Sequence, residues 1–483
     1  MVRRSILSVL LTVAVATASA QADSRLRLDE EQGMVRLTLA QLKDSALRNN
    51  IAVRQAQLDI AAAGEQRREA FTKYFPQVSA TGAWFNANRP MAKMSVDPQD
   101  FVTPGLGAAL AQMLPAEALA ALGSPLGMSM MKDGTIASLT AVQPVFAGGQ
   151  IVNGNRLARV GQEAGRLQLR LKENDVERQT EQYYWQLVSL KEKMKTLDAV
   201  DSLLSDIYKD VDVAVRAGVA MRNDLLQVQL RRNDIESQRL KLRNGISIVK
   251  MLIGQYAGLS SGYTPNPSSE GEVSIYSFDI VMPDVNQQNC TLPSPLGEGG
   301  GVRPGLPVLS SLPEYQLLEK QVEAAALQKK MAVGQLLPSV AVGAGYNYHN
   351  LLDNDRTFAM VFATVSLPIS DWWGGSHAVK RKKLEHQKAV DQLNDHAQLL
   401  AIRMQKAAND VEEAAMQIDI ARRAIEQAEE NLRIVRNQYK AGVSKMGDLL
   451  EAQLLYQQTL DRRTDAWADL QNRLLDYRQA TGQ

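Results

Sequence analysis

The chain says nearly the same thing twice. Ala217-Gly218-Val219 is followed by Asp224-Leu225-Leu226 and Gln229-Leu230, and 224 residues later Ala441-Gly442-Val443 is followed by Asp448-Leu449-Leu450 and Gln453-Leu454. Each motif lies between a very long helix-like segment and a shorter one. Before each long segment a strand-like stretch ends in proline, at Gln143-Pro144 and Leu367-Pro368, again 224 residues apart. A duplication on this scale means that the architecture is two copies of one unit.

Each copy opens with a helical pattern. Leu37 to Thr72 carries Leu42, Ala46, Val53, Ala56, Ile60 and Ala63 at helical spacing, with Thr38 and Gln41 as a capping box and one interruption of the stripe at Asn49. Pro76 stops it, because proline breaks the helical ladder and pushes its predecessor to extended geometry. Gln77 to Phe85 then alternates. Leu312 to Gly334, Pro338 and Ser339 to His349 repeat the series. In the second strand Val340, Val342, Ala344, Tyr346 and Tyr348 point one way, and Ser339, Gly343, Gly345, Asn347 and His349 the other. Such alternation over about ten residues suits a membrane-barrel strand, apolar outside and polar inside, and the terminal tyrosines suit an interfacial girdle. It also suits a half-buried strand of a soluble sandwich. Thr135 to Val145 and Phe358 to Leu367 are the partner strands.

The long segments keep a seven-residue repeat. One series runs Val390, Ala397, Met404, Val411, Ile418, Ile425, Leu432, Tyr439, and the other Leu393, Leu400, Ala407, Ala414, Ala421, Ala428, Val435. The first copy matches with Leu190, Leu197, Leu204, Val211 and with Leu187, Met194, Tyr208, Val215, broken only by Asp201. A sustained heptad predicts left-handed supercoiling against partner helices. At about 65 residues each, the two rods would be ~95 Å long. The helices alone are compatible with a filamentous coiled coil. The alternating strands argue against one.

Two inserts depart from the repeat. Residues 88–134 are rich in Met, Ala, Pro and Gly, whereas the second copy has only a short turn there. Residues 257–311 are rich in Gly, Pro and Ser and read as a flexible linker. The expected organisation is a signal peptide at 1–20, a first repeat at 21–256 with the 88–134 insert, the linker at 257–311, and a second repeat at 312–483. Arg3 and Arg4, the apolar run from Ser5 to Thr17, and Ala18-Ser19-Ala20 form the signal pattern. The lone cysteine, Cys290, cannot form an intrachain disulfide. With 54 Lys and Arg against 53 Asp and Glu, the charge balance gives no support for nucleic-acid binding. A chain without a membrane-spanning helix can cross lipid only with strands closed into a barrel. Four strands are too few, since membrane barrels start at eight, so rotational symmetry would have to supply the rest from other chains.

These features resemble the TolC-like outer-membrane efflux protein family. The resemblance covers about Leu37 to Ala480, apart from the inserts. It rests on the repeat layout, the strand exits (Pro144 with Gly148-Gly149, Pro368 with Gly374-Gly375) and the turn-plus-aspartate motifs. It implies a mainly α-helical fold with a membrane β-barrel, in which a homotrimer contributes four strands per protomer to a twelve-stranded pore and a coiled-coil α-barrel crosses the periplasm. It implies residence in the outer membrane of a Gram-negative bacterium, in contact with its lipid. The expected partners are a periplasmic adaptor (a membrane fusion protein) and an inner-membrane pump, as in tripartite efflux or type I secretion. No cofactor, metal or nucleic acid is expected.

The resemblance also implies roles for residues. Asp448 and Glu451, one helical turn apart, would ring and constrict the periplasmic mouth, Glu451 standing where the family usually has aspartate. Both equally suit the start of a helix, where acids complement its dipole. Asp224 would latch to Tyr439, with Ser444 and Lys445 nearest the latch's usual basic member. Asp224 also suits a plain helix cap. Gly218-Val219 and Gly442-Val443 would be the tips that meet the adaptor, and glycine there also suits a left-handed helix end. The family commonly has Val-Gly followed by Leu or Thr at these tips, whereas both copies here read Ala-Gly-Val, so partner choice is expected to differ.

Met91, Met94, Met128, Met130 and Met131 in the first insert suggest either adaptable packing or Cu(I) binding. His349, His377, His386 and His396 form no H-E-x-x-H or comparable spacing, and no phosphate loop is present, so an enzyme is not expected. The rival to a duct is a periplasmic coiled-coil adaptor or structural tether.

Overall fold

In a computed structural model the described residues are 35–88, 92–96, 126–130, 133–259, 278–283, 306–350, 355–369 and 371–482. The signal segment, Cys290, Met91 and Met131 lie outside them. The chain runs β1 (Val35–Leu37), α1 (Leu39–Asn49), α2 (Ile51–Thr72), β2 (Gln77–Asn86), β3 (Ala92–Val96), β4 (Leu126–Met130), β5 (Asp133–Ala147), α3 (Gln150–Arg216), α4 (Arg222–Tyr256), β6 (Phe278–Ile280), α5 (Leu306–Ser311), α6 (Pro313–Gly334), β7 (Ser339–Asn350), β8 (Asp355–Ser366), α7 (Asp371–Lys440) and α8 (Met446–Thr481). The long helices α3 and α7 have 67 and 70 residues, about 100 Å each.

Two compact units form, and each draws on both sequence repeats. One comprises the described parts of Met1–Ala61, Gly165–Glu319 and Gln392–Gln483; the other comprises Ala62–Ala164 and Lys320–Asp391. The units therefore cut across the repeats, because both long helices run through each of them.

In the first unit the heptad positions make the core. Leu187, Leu197, Leu204 and Val211 of α3 are buried, as are Met404, Ala407, Val411, Ala414, Ala421, Ala428 and Leu432 of α7. No position of the two α7 series is exposed. Asp201, which breaks the α3 series, is compensated from α4: Arg232 Nε lies 3.3 Å and Arg239 Nη2 3.5 Å from its carboxylate. Tyr184, Trp185, Leu187 and Trp467 pack with Phe278 and Ile280 in a further cluster.

Three expectations change. The helix read over 37–72 is two helices. Asn50 sits between them in extended geometry, its Oδ1 accepting from the Ala52 N–H at 2.8 Å and its Nδ2 donating to the Tyr256 carbonyl at 3.0 Å. An asparagine that bonds locally competes with the helical ladder, so the break at Asn49–Asn50 is chemical. The 88–134 insert contains an antiparallel strand pair, β3 with β4, in which Met94 and Met128 are register partners. The 257–311 segment is more than linker: β6 pairs in parallel with β1, and Asp279 is ion-paired with Lys191 and, at 3.5 Å, with Lys250. Burial raises the Asp279 carboxyl, but those two ammonium groups and the Ile280 N–H outweigh it and hold the pKa below the usual aspartate range.

In the second unit β2, β5, β7 and β8 form one antiparallel sheet in that order. Its register sorts the side chains onto two faces. Val78, Ala141, Ala344 and Val361 form one row across the strands, and Ala80, Leu139, Tyr346 and Ala359 the next. The opposite face carries Thr81, Ser138 and Asn347 with Phe358, and the Thr81 and Ser138 hydroxyls are 2.6 Å apart. On that face Phe362 covers Gly343, where a Cβ would collide with the ring. Register shifts at Pro144, which donates no ladder bond.

All four strands meet helices at the same end of the sheet: β2 and β7 begin there, and β5 and β8 end there. The two strand exits differ. Gly148 and Gly149 take positive φ of 58° and 76°, and a Cβ on Gly148 or Gly334 would overlap the other's backbone. Gly374 and Gly375 instead lie inside the first turns of α7, and the positions 224 residues after Gly148-Gly149 are Trp372-Trp373. The shared Gly-Gly exit read from the sequence is thus confined to the first copy.

Leu204 is fully buried among α3, α4 and α8 side chains. Leu204→Ala is expected to cost about 2–5 kcal/mol and lower the thermal midpoint followed by far-UV circular dichroism. An unchanged midpoint would mean that the heptad seam does not stabilise the fold.

Candidate functional site

The two motifs that open the sequence end α3 and α7 in the same geometry. The Val219 N–H donates to the Ala214 carbonyl and the Val443 N–H to the Gln438 carbonyl, both at 2.9 Å, while Gly218 and Gly442 both sit at φ 77°. These are left-handed helix ends closed by a six-to-one hydrogen bond. Nothing lies within 4 Å of a Cβ placed on either glycine, and Val219 and Val443 are 80% and 79% exposed. The two tips project at one end of their unit: Lys440 is 3.6 Å from Asp210, and Val211, Val228, Leu432, Met446 and Leu449 share one core cluster.

The aspartates also repeat. Asp224 accepts from the Met221 N–H at 3.3 Å, and Asp448 from the Lys445 N–H at 3.0 Å and the Ser444 hydroxyl at 2.9 Å. Each closes the first turn of its own helix. The Lys445 N–H, then the Ser444 hydroxyl, hold the exposed Asp448 carboxyl below the usual aspartate range. Glu451 is exposed one turn further along α8. Tyr439 is half-buried, and burial, followed by the charge of Asp224, raises its phenol. Asp224 and Tyr439 are therefore neighbours, but among the described residues no hydrogen bond joins them.

One arrangement escaped the sequence reading. Arg231 of α4 reaches two glutamines of α8, donating to Gln453 Oε1 at 3.2 Å and Gln457 Oε1 at 2.9 Å, and Gln457 donates onward to Gln238 at 3.0 Å. Gln453 is 0% exposed. Burial lowers the Arg231 pKa, against the opposing pull of Asp234. The repeat held the signal: Gln453 is the duplicate of Gln229, whose side chain is exposed and donates to Tyr208 at 3.3 Å. A polar group at equivalent positions, buried in only one copy, marks where the copies diverged. One turn beyond Gln457, burial raises the Asp461 carboxyl, partly offset by Lys193.

The family model for outer membrane efflux proteins matches residues 308–483. No curated protein matches the sequence. Among solved structures, the outer membrane protein VceC of Vibrio cholerae superposes with a TM-score of 0.66 at 14% identity, covering 92% of this chain and 96% of its own. The CmeC outer membrane channel of Campylobacter jejuni gives 0.68 at 15% identity over 92% and 85%. The open-state MtrE outer membrane channel of Neisseria gonorrhoeae gives 0.67 at 15% identity over 92% and 88%. The fold is that of the TolC-like outer-membrane efflux channels. Among the described residues no helix is long and apolar enough to cross a membrane.

Asp461 offers a sign-definite test. Its folded pKa is raised, so between the unfolded value near 4 and the folded value the unfolded state loses its proton first, and stability falls as pH rises. Asp461→Asn is expected to raise the melting temperature by about 1–3 °C at neutral pH, with the gain shrinking as pH approaches 4. A lower melting temperature, or a gain independent of pH, would contradict the burial assignment.

Proposed function

We propose that this protein is the outer-membrane duct of a tripartite efflux or type I secretion system, through which small molecules or proteins leave passively. One observation carries the reading. An uncharged band of four strands presents a continuous apolar face and two unpaired edges, and every strand enters a helix at the same end of the sheet. Strands of 10 to 15 residues are long enough to span a bilayer. Closing both edges among three protomers gives a twelve-stranded barrel with Thr81, Ser138 and Asn347 towards the lumen. The helices continue it as a periplasmic tunnel, and the protein resides in the outer membrane of a Gram-negative cell.

In this reading the turns at Gly218-Val219 and Gly442-Val443 meet the periplasmic adaptor, and an inner-membrane pump supplies the energy. The open space around both tips supports this. Threefold symmetry would bring three copies of Asp448 and Glu451 around one axis, where they concentrate negative potential and favour cations. Asp224 beside Tyr439 joins α4 to α7, and Arg231 pinned to Gln453 and Gln457 joins α4 to α8, behind that ring.

Single-channel conductance in a planar bilayer tests the proposal. Wild type is expected to open rarely, with small cation-selective steps, and Asp448→Ala to conduct more and select less. Asp224→Asn is expected to raise the open probability and antibiotic permeability. Channels indifferent to both substitutions would remove the gate and keep the duct. Folded protein that forms no channel would favour a periplasmic coiled-coil tether.

A further inference from the structure

The end of the sheet where strands become helices carries a second chemical pattern. Phe71, Tyr74 and Phe75, just before β2, form an exposed aromatic cluster with ring centroids 5.4 and 5.7 Å apart. Just after β8, Trp372 is fixed by donating from Nε1 to the Leu336 carbonyl at 3.1 Å, while Trp373 is 82% exposed. Leu337, Leu367 and Ile369 are exposed at the same end.

Beyond these aromatics the helices turn basic. The segments 62–76, 150–164, 320–338 and 371–391 together carry 13 Lys and Arg against 7 Asp and Glu, in a chain whose net charge is only +1. The densest stretch is Lys380-Arg381-Lys382-Lys383 of α7. Lys382 is used internally, bonded to Glu385 at 2.6 Å and Gln328 at 3.1 Å. Lys380, Lys383 and Lys388 are exposed and, among the described residues, make no ion pair. Trp373, Lys380 and Leu384 share one helical face, and Leu384 is 70% exposed.

Spacing identifies the occupant. At about 1.5 Å per residue, Lys380 lies roughly 10 Å and Lys383 roughly 15 Å along the helix from Trp373. A headgroup layer is about 5–8 Å deep, and salt screens charge over about 8 Å. With Trp373 at the hydrocarbon boundary, as interfacial aromatics sit, these ammonium groups fall roughly 2–10 Å beyond the headgroup layer, about one screening length from the phosphates. We infer that this aromatic and basic shoulder is a binding surface for anionic phospholipid headgroups of the periplasm-facing leaflet. The inference rests on the proposed barrel. It adds a lipid preference that a barrel alone does not require, since aromatic girdles seat in neutral and anionic bilayers alike.

Brominated lipids test it through tryptophan fluorescence. Trp185 and Trp467 are buried, so in a Trp84→Phe background Trp372 and Trp373 are the tryptophans open to lipid. The full chain is reconstituted in phosphatidylcholine vesicles containing brominated phosphatidylglycerol or brominated phosphatidylcholine at equal mole fraction. Brominated phosphatidylglycerol is expected to associate about five-fold or more in preference, and the preference to fall with added salt. Replacing Lys380, Arg381, Lys383 and Lys388 by Gln is expected to abolish it while leaving quenching by brominated phosphatidylcholine. Equal quenching by both lipids in the parent protein, or a preference indifferent to salt, would overturn the headgroup surface and leave the barrel standing. No quenching by either lipid would overturn the barrel and this inference together.

Discussion

Everything in this molecule follows from two sheet edges. A four-stranded sheet ends in β2 on one side and β8 on the other, each with a row of backbone N–H and C=O groups that no strand among the described residues pairs. In water such edges are a hazard; in hydrocarbon each unpaired group costs several kcal/mol. The face that register makes apolar is wasted in water and useful in lipid. In the proposed duct, rotational closure among protomers would satisfy both edges at once. The long helices inherit that requirement, because each strand continues into a helix.

The duplication extends to individual hydrogen bonds. The Val219–Ala214 and Val443–Gln438 bonds match, as do the Asp224–Met221 and Asp448–Lys445 caps. Where the copies differ, the differences are concentrated. Gly148-Gly149 makes a close backbone crossing at Gly334, whereas the equivalent Trp372-Trp373 places aromatics at the helix start. Gln229 stays exposed while Gln453 is buried against Arg231.

Much of this was legible because periodicity is a backbone property. The heptads of α3 and α7, the strand over 339–349 and the stop at Pro76 all follow from side-chain spacing. What was not legible depends on partners distant in sequence. Asn50 breaks a helix because Tyr256 receives its side chain. Phe278–Ile280 becomes a strand because Val35–Leu37 is beside it and Lys191 and Lys250 meet Asp279. A Gly-, Pro- and Ser-rich composition cannot report that three apolar-flanked residues within it have a docking site. The partners of Asp448 were close in sequence, yet its two roles were indistinguishable there, because a helix cap and a pore-facing acid need the same residue at the same place.

In the proposed duct the observed cap and the expected ring would act on each other. The Lys445 N–H and the Ser444 hydroxyl stabilise the Asp448 carboxylate and lower its pKa. Three carboxylates brought around one axis would raise it. In the proposed ring the cap would therefore oppose the repulsion that convergence creates. The same bonds tie the carboxylate to the first turn of α8. A constriction built on the proposed ring would open by displacement of α8 rather than by a side-chain swing. The α4–α8 seam would resist that displacement, because parting Arg231 from the buried Gln453 and Gln457 costs about 1–3 kcal/mol for each amide left unpaired.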